Sequence, residues 1–293
     1  MQSTDRKFNA WWILATLALF FVGDRLGGAV LESMVESSQF RYSKLLNDTG
    51  EADILLVGNS RGLMFYQPYI EETTGKNTLN LSYNGMPMNL AAGLVEDYFD
   101  RYPAPEVMVL DVTMCDRENL QLIRDFRTYA AKSDRLSDLL REEAPRNYWG
   151  AKFSHLYRYN SEIFQRALYY RNRSDEDWLL DRVINDRMVA GIEDTEDYTI
   201  TMVGLEELKK TVELAQSKGT EVRLVINPYY PPFAQKIQNL TQFRRAVTEA
   251  TGLEVADYSL AVADTQGFGD YQHLNKAGSR AYIDRLLADG VLW

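Results

Sequence analysis

Residues 53–61 read DILLVGNSR. The apolar run between an acidic residue and a glycine is too short for a globular helix. It is also too uniformly apolar for a strand with one wet face, so it predicts a strand of a parallel sheet, buried on both sides. Gly58-Asn59-Ser60-Arg61 then reads as a tight turn entering a helix. Such a turn exposes the Ser60 hydroxyl and leaves helix amides nearby that can stabilise an oxyanion. A serine at this place is equally an ordinary helix cap, so the turn alone assigns no chemistry.

The same pattern recurs along the chain. NTLNLS (77–82), PEVMVLDV (105–112), EVRLVIN (221–227) and LEVADYS (253–259) read as further strands. Helical spacing appears over 88–101, 204–219, 234–252 and 275–290. Five strands alternating with helices predict an α/β fold with a mostly parallel sheet covered on both faces. Residues 117–198 break the alternation: they are helical in pattern, rich in Arg, Asp and Tyr, and carry no convincing strand. They read as a helical insertion, clearest at 136–143 and 161–173, on one α/β domain. The insertion's aromatics (Tyr148, Trp149, Tyr157, Tyr159, Tyr169, Tyr170) either form a sugar-binding platform or pack the insertion onto the sheet.

The amino-terminal stretch FNAWWILATLALFFVG (8–23) has no charged side chain and follows Arg6 and Lys7. As a helix its sixteen residues span about 24 Å, against about 30 Å for a bilayer core. The helical pattern continues past Asp24 and Arg25, with Trp11 and Trp12 near one headgroup boundary. A cleaved signal peptide lacks a convincing small-x-small site after Phe21, and a buried globular helix leaves an apolar face all round. The segment therefore reads as a single-pass anchor over residues 1–30, in contact with the lipid bilayer through residues 8–30. The positive-inside rule then directs the domain at 31–293 out of the cytoplasm. Glu32–Asn47 reads as a mixed helical connector.

Composition excludes several classes. The 293 residues are 45% hydrophobic and 12% aromatic, enough for a sizeable core. With 32 basic and 42 acidic residues the net charge is −10, which disfavours nucleic acid as a partner. The mean hydropathy of −0.34 excludes a polytopic membrane protein. Cys115 is the sole cysteine, so no intrachain disulfide can form. His155 and His273 are the only histidines and lie far apart in the chain, so neither a metal nor a cofactor is expected. His155 reads as structural, and Asp257 as a residue at the end of a strand.

Ligands of open parallel sheets sit beyond the carboxyl ends of the strands. Strand two leads into Tyr83-Asn84-Gly85-Met86-Pro87, where Asn-Gly favours a turn with positive φ whose amides can face an anion, or which is simply a turn. The last strand leads into Gly269-Asp270-Tyr271-Gln272-His273. Asp270 and His273, three apart, can share one face of a turn, so that the carboxylate orients an imidazole able to deprotonate Ser60.

With these residues the sequence resembles the SGNH (GDSL-type) hydrolase superfamily. The resemblance covers roughly residues 52–115 and 200–290, and it implies a flavodoxin-like sheet with Ser60, Asp270 and His273 as catalytic residues. Gly85 matches the second oxyanion donor. The third block departs from the family's Gly-x-Asn-Asp: this chain has Asp111-Val112-Thr113-Met114-Cys115-Asp116. Thr113 or Asn84 is then the candidate replacement donor. Arg61 is a candidate to steady an anionic substrate group, with a salt bridge as the alternative.

Gly-x-Ser-Arg, Asn227-Pro228-Tyr229-Tyr230 and Asp-x-x-His-Leu-Asn-x-x-Gly look like the membrane-tethered bacterial branch of that superfamily. That branch is similar to alginate and cellulose O-acetylation factors and to the teichoic-acid D-alanylation protein. It implies an O-acyltransferase or acylesterase at the outer face of the cytoplasmic membrane, periplasmic or extracellular. Its acceptor would be a polysaccharide, its mechanism an acyl-serine, and its partner a membrane-bound O-acyltransferase. The alternative is a non-catalytic scaffold on the same frame, binding a polysaccharide or that membrane partner.

Overall fold

The computed structural model describes residues 10–190 and 196–292. The apolar run after Asp53 folds as β1 (Ile54–Val57), with all four side chains buried. It lies inside a five-stranded sheet with β2 (Thr78–Asn80), β3 (Val107–Asp111), β4 (Glu221–Ile226) and β5 (Val255–Asp257), in the order β2-β1-β3-β4-β5. Every pairing is parallel, with Leu56 opposite Asn80 on one side and Val109 on the other. This is the flavodoxin-like strand order, and its direction reverses between β1 and β3, directly above which the first loop leaves the sheet.

Helices cover both faces, as buried apolar strands require. The chain-order helices are α1 (Ala10–Glu36), α2 (Arg41–Leu46), α3 (Gln67–Thr74) and α4 (Met88–Arg101). The insertion supplies α5 (Leu120–Asp125), α6 (Asp134–Glu143), α7 (Pro145–Phe153), α8 (His155–Arg158), α9 (Glu162–Tyr169) and α10 (Asp186–Ala190). The chain then forms α11 (Met202–Ser217), α12 (Pro231–Ala234), α13 (Leu240–Thr251) and α14 (Lys276–Ala288). On one face α11 packs between α4 and α13; α14 packs with α3.

Two boundaries differ from the sequence reading. The helix expected over 234–252 is split into α12 and α13. The intervening backbone instead pairs with the end of the insertion, through Glu196 N–H to the Lys236 carbonyl at 3.0 Å and Gln238 N–H to the Glu196 carbonyl at 3.1 Å. The connector expected over 32–47 is also not one element. α1 runs on to Glu36, and α2 is a separate, buried helix whose Tyr42 hydroxyl donates to the Leu81 carbonyl just after β2, 2.9 Å away.

The described part of the amino-terminal segment is one helix, long and apolar enough to cross a membrane. Its first half is exposed, including Trp11 at 77% and Leu19 at 74%. Arg6, Lys7 and the start of the apolar stretch at Phe8 lie outside the described residues.

Candidate active site

Ser60 opens a short 3-10 turn, Ser60–Met64, at the carboxyl end of β1. Asn59 caps the turn: its side-chain oxygen accepts from Arg61 N–H at 2.9 Å. The turn lies unusually close to its neighbours. A Cβ at Gly58 would stand 2.9 Å from Gly62 Cα and 3.1 Å from Asp111 Cβ, and one at Gly62 would overlap the Ser82 hydroxyl. Glycine at both places lets the loops after β1, β2 and β3 crowd together.

His273 arrives from the loop between β5 and α14. That loop closes on itself, with Gly269 N–H donating to the His273 carbonyl at 2.9 Å. Asn275 caps α14 by accepting from Ala277 and Gly278 N–H, both at 3.1 Å. Leu274 N–H meets the Met64 sulfur at 3.4 Å, and the Ser279 hydroxyl donates to the Met64 carbonyl. The loop is thereby fastened to the turn that carries Ser60, although 213 residues separate Ser60 from His273 in sequence.

The result is a continuous hydrogen-bonded line. Ser60 Oγ lies 2.9 Å from His273 Nε2, and His273 Nδ1 lies 2.9 and 3.1 Å from the two Asp270 oxygens. Asp270 also accepts from Gln272 and His273 N–H, each at 2.9 Å. Partial burial pushes the Asp270 carboxyl up, but the hydrogen bonds from His273 and Gln272 outweigh it and hold the group below its ordinary value. An ionised Asp270 fixes the tautomer that leaves Nε2 free to take a proton from Ser60.

Asn84 is exposed and lines a cleft with Ser60 and His273. Gly85 has φ of +68°, and its carbonyl accepts from the Asn119 amide at 2.9 Å. Among the described residues the N–H groups of Ser60 and Gly85 make no internal hydrogen bond; Ser60 lines both clefts beside the turn and Gly85 lines neither. Thr113 is turned to another task. Thr113 is buried, and its hydroxyl accepts from Asn59 Nδ2 at 3.0 Å, so it braces the residue before Ser60 and lines neither cleft beside it. Arg61 is buried, stacks 3.3 Å from the Tyr229 ring centroid and donates to the Asn227 carbonyl. It forms no ion pair among the described residues, so the salt-bridge reading gives way, while Arg61 still lines the polar cleft beside Ser60.

A buried polar bed under the turn was not anticipated. Asn227, at the exit of β4, donates to the Arg61 carbonyl and to Asp111 Oδ2, each at 3.0 Å, and accepts from the Tyr282 hydroxyl at 2.6 Å. Asp111 and Asn227 each close an apolar strand, and a polar residue at that register is the sequence signal for such a bed.

Ser60 stands between two clefts. One, about 530 Å³, is apolar: Leu63, Met64, Trp178, Leu179, Leu180 and Leu274 line it with Ser60 and His273. The other, about 400 Å³, is mostly polar and includes Arg117, Asp116, Tyr198, Tyr229 and Gln272. The insertion contributes to both. Leu180 forms a parallel bridge with Asn275, and Arg182 reaches the Gly269 carbonyl at 3.0 Å and Asp270 at 3.5 Å. The insertion's aromatics do not form one platform: Tyr159 and Tyr170 are buried, whereas Trp149 and Tyr169 are exposed. Among the described residues no group of three or more potential ligands is arranged to hold a metal ion. His155 sits in the insertion, where its N–H donates to Asp24 at 2.8 Å, and Asp257 pairs with Arg244 at 3.3 Å.

The fold and the site define a class: a flavodoxin-like α/β protein with a Ser–His–Asp line at the carboxyl edge of its sheet. No protein-family model matches the chain, and no curated protein does. Solved structures that match include one described as a "putative acylhydrolase" from Bacteroides fragilis NCTC 9343. That structure is 11% identical, with a TM-score of 0.41 over 81% of this chain and 85% of the other.

Proposed function

We propose that the protein is a membrane-anchored, extracytoplasmic O-acyltransferase or acylesterase that acts on a cell-surface or exported polysaccharide through an acyl-serine. The observation that carries this reading is the Ser60–His273–Asp270 line, with 2.9 Å at each link. His273 Nε2 takes the Ser60 proton as Oγ attacks the acyl carbonyl carbon, and Asp270 stabilises the imidazolium. The Ser60 and Gly85 N–H groups, with the Asn84 amide, receive the tetrahedral oxyanion. Collapse expels the first alcohol or thiol, which takes the proton back from His273. A sugar hydroxyl or water then gives its proton to His273 as it attacks the acyl carbon, and the imidazolium returns that proton to Ser60 Oγ as the acyl–serine bond breaks.

On this reading the acyl group lies in the apolar cleft and the acceptor in the polar one. The helix α1 supports anchoring, since it is long and apolar enough to span a bilayer. Anchoring would hold the site beside a membrane-bound O-acyltransferase and raise its effective concentration there.

The test is Ser60→Ala, assayed for hydrolysis of activated esters and for acylation of the surface polymer. Both are expected to fall to background at unchanged protein level. Full turnover in that variant sinks the catalytic reading and leaves the non-catalytic scaffold. Labelling by a serine-reactive phosphonate gives an independent check: it should modify Ser60 stoichiometrically and fail in His273→Ala.

A further inference from the structure

Exposed apolar side chains gather where the insertion meets α1. On α7 and the start of α8, Trp149 is 65% exposed, Phe153 75% and Leu156 43%. Arg146, Trp149 and Phe153 recur at helical spacing on one face of α7, and Lys152 beside them is exposed.

This patch is fixed in height along α1. Asp24, itself buried, accepts from the Ser154 hydroxyl at 2.6 Å, His155 N–H at 2.8 Å and Leu156 N–H at 3.1 Å. Arg25 donates to the Phe153 carbonyl at 3.1 Å. A Cβ at Gly27 would stand 3.0 Å from Leu156 Cδ2, and one at Gly28 would overlap the His155 Cβ. The helix therefore meets the insertion in direct contact, with Phe153 level with Arg25.

That level is where a bilayer surface would fall. The uncharged described part of α1, Ala10 to Gly23, is about 21 Å long at 1.5 Å per residue. A hydrocarbon core is about 30 Å thick. A lipid boundary drawn to cover α1 therefore reaches the level of residues 24–28, and the α7–α8 patch stands at that level. Asp24 presents no bare charge there, because its carboxylate is consumed by α8. Aromatic and aliphatic side chains flanked by the exposed Arg146 and Lys152 suit an interface in which rings sit at headgroup depth and cations reach anionic lipid.

We infer that the α7–α8 face lies in the interfacial layer of the bilayer that α1 crosses, with lipid against Trp149, Phe153 and Leu156. The inference rests on the anchoring half of the proposed function. Lipid is favoured over a protein partner because the patch continues a helix whose apolar surface is exposed on nearly all sides. Two contacts, α1 and the patch, then fix the orientation of the domain, and the insertion acts as a foot as well as a cleft wall.

The experiment uses the full chain in nanodiscs of phosphatidylethanolamine and phosphatidylglycerol. Single nitroxides are attached through Trp149→Cys, Phe153→Cys, Leu17→Cys and, as an aqueous reference, Glu249→Cys, all in a Cys115→Ala background. Power saturation compares access of oxygen with access of a nickel chelate. Labels at 149 and 153 are expected to favour oxygen, as at 17, and 249 to favour nickel. If 149 and 153 match 249 while 17 favours oxygen, the docked face is refuted and the anchor stands. If 17 also favours nickel, the anchor fails and the inference with it.

Discussion

A buried ion pair ties the insertion to α2, and breaking it should be the most informative stability experiment. Asp175 Oδ2 lies 2.9 Å from Arg41 Nε and accepts from Arg41 N–H at 2.7 Å. Arg41 also donates to the Ser82 carbonyl at 2.7 Å, and Trp178 Nε1 donates to Asp175. Both charged side chains are buried. Asp175→Asn keeps the shape but leaves the buried guanidinium without its paired counter-charge. Removing one partner of such a pair destabilises by about 3–5 kcal/mol, and the surviving amide oxygen favours the lower end, about 3 kcal/mol. Replacing both, as Arg41→Met with Asp175→Leu, removes the stranded charge and should recover most of that loss. Urea unfolding of wild type, both single variants and the double, in detergent and followed by far-UV dichroism, completes the cycle. The reasoning is refuted if Asp175→Asn costs less than about 1 kcal/mol, or if the double variant loses the sum of the singles. Because Asp175 stands three residues before Trp178 in the apolar cleft, the single variant should also lose turnover of longer acyl esters before that of acetate.

Asp270→Asn should lower kcat by about 10²–10⁴ with little change in KM, since it unsettles the His273 tautomer without touching the clefts; an unchanged kcat would remove Asp270 from the line. Leu180→Ala, in the wall of the apolar cleft, should lower kcat/KM for butyrate and hexanoate esters relative to acetate, and a shift toward the longer esters would reverse the cleft assignment. Asp97 is buried, and desolvation, only partly offset by the Ser133 hydrogen bond and nearby arginines, pushes its carboxyl up to about 6. The unfolded chain releases that proton at lower pH, so this group lowers stability as pH rises from about 4 through 6. Asp97→Asn should therefore gain on wild type by on the order of 2–3 kcal/mol between pH 4 and pH 7; urea midpoints at the two pH values check it, and a pH-independent difference would contradict the burial account.

Much of the fold was legible because apolar runs report burial directly. The four residues at 54–57 and the five at 107–111 are fully buried in the middle of the sheet, and their neighbours' turn residues mark where each strand stops. Ser60, Asp270 and His273 were legible for a related reason: parallel strands deliver every carboxyl-end loop to one edge. Boundaries set by partners were not legible. Residues 234–239 carry helical spacing, yet Glu196 draws their backbone into pairing. The direction of Thr113, which lines neither cleft, was not legible, because sequence gives a residue's place along a strand exit but not the direction of its side chain.

The chain's hydrophobic pattern by itself determined the parallel sheet, the helical insertion and a first helix apolar enough to span a membrane. The scarcity of histidine singled out His273 as the available base. Only the tertiary structure decided the 2.9 Å contact between His273 and Ser60, the two clefts on either side, and the Asp24 clamp that locks the first helix to the insertion. The physical reason is that periodicity is a local quantity, encoded by neighbours in sequence. A hydrogen bond across more than two hundred residues depends on how loops of differing length settle against one sheet edge, and no local pattern records that.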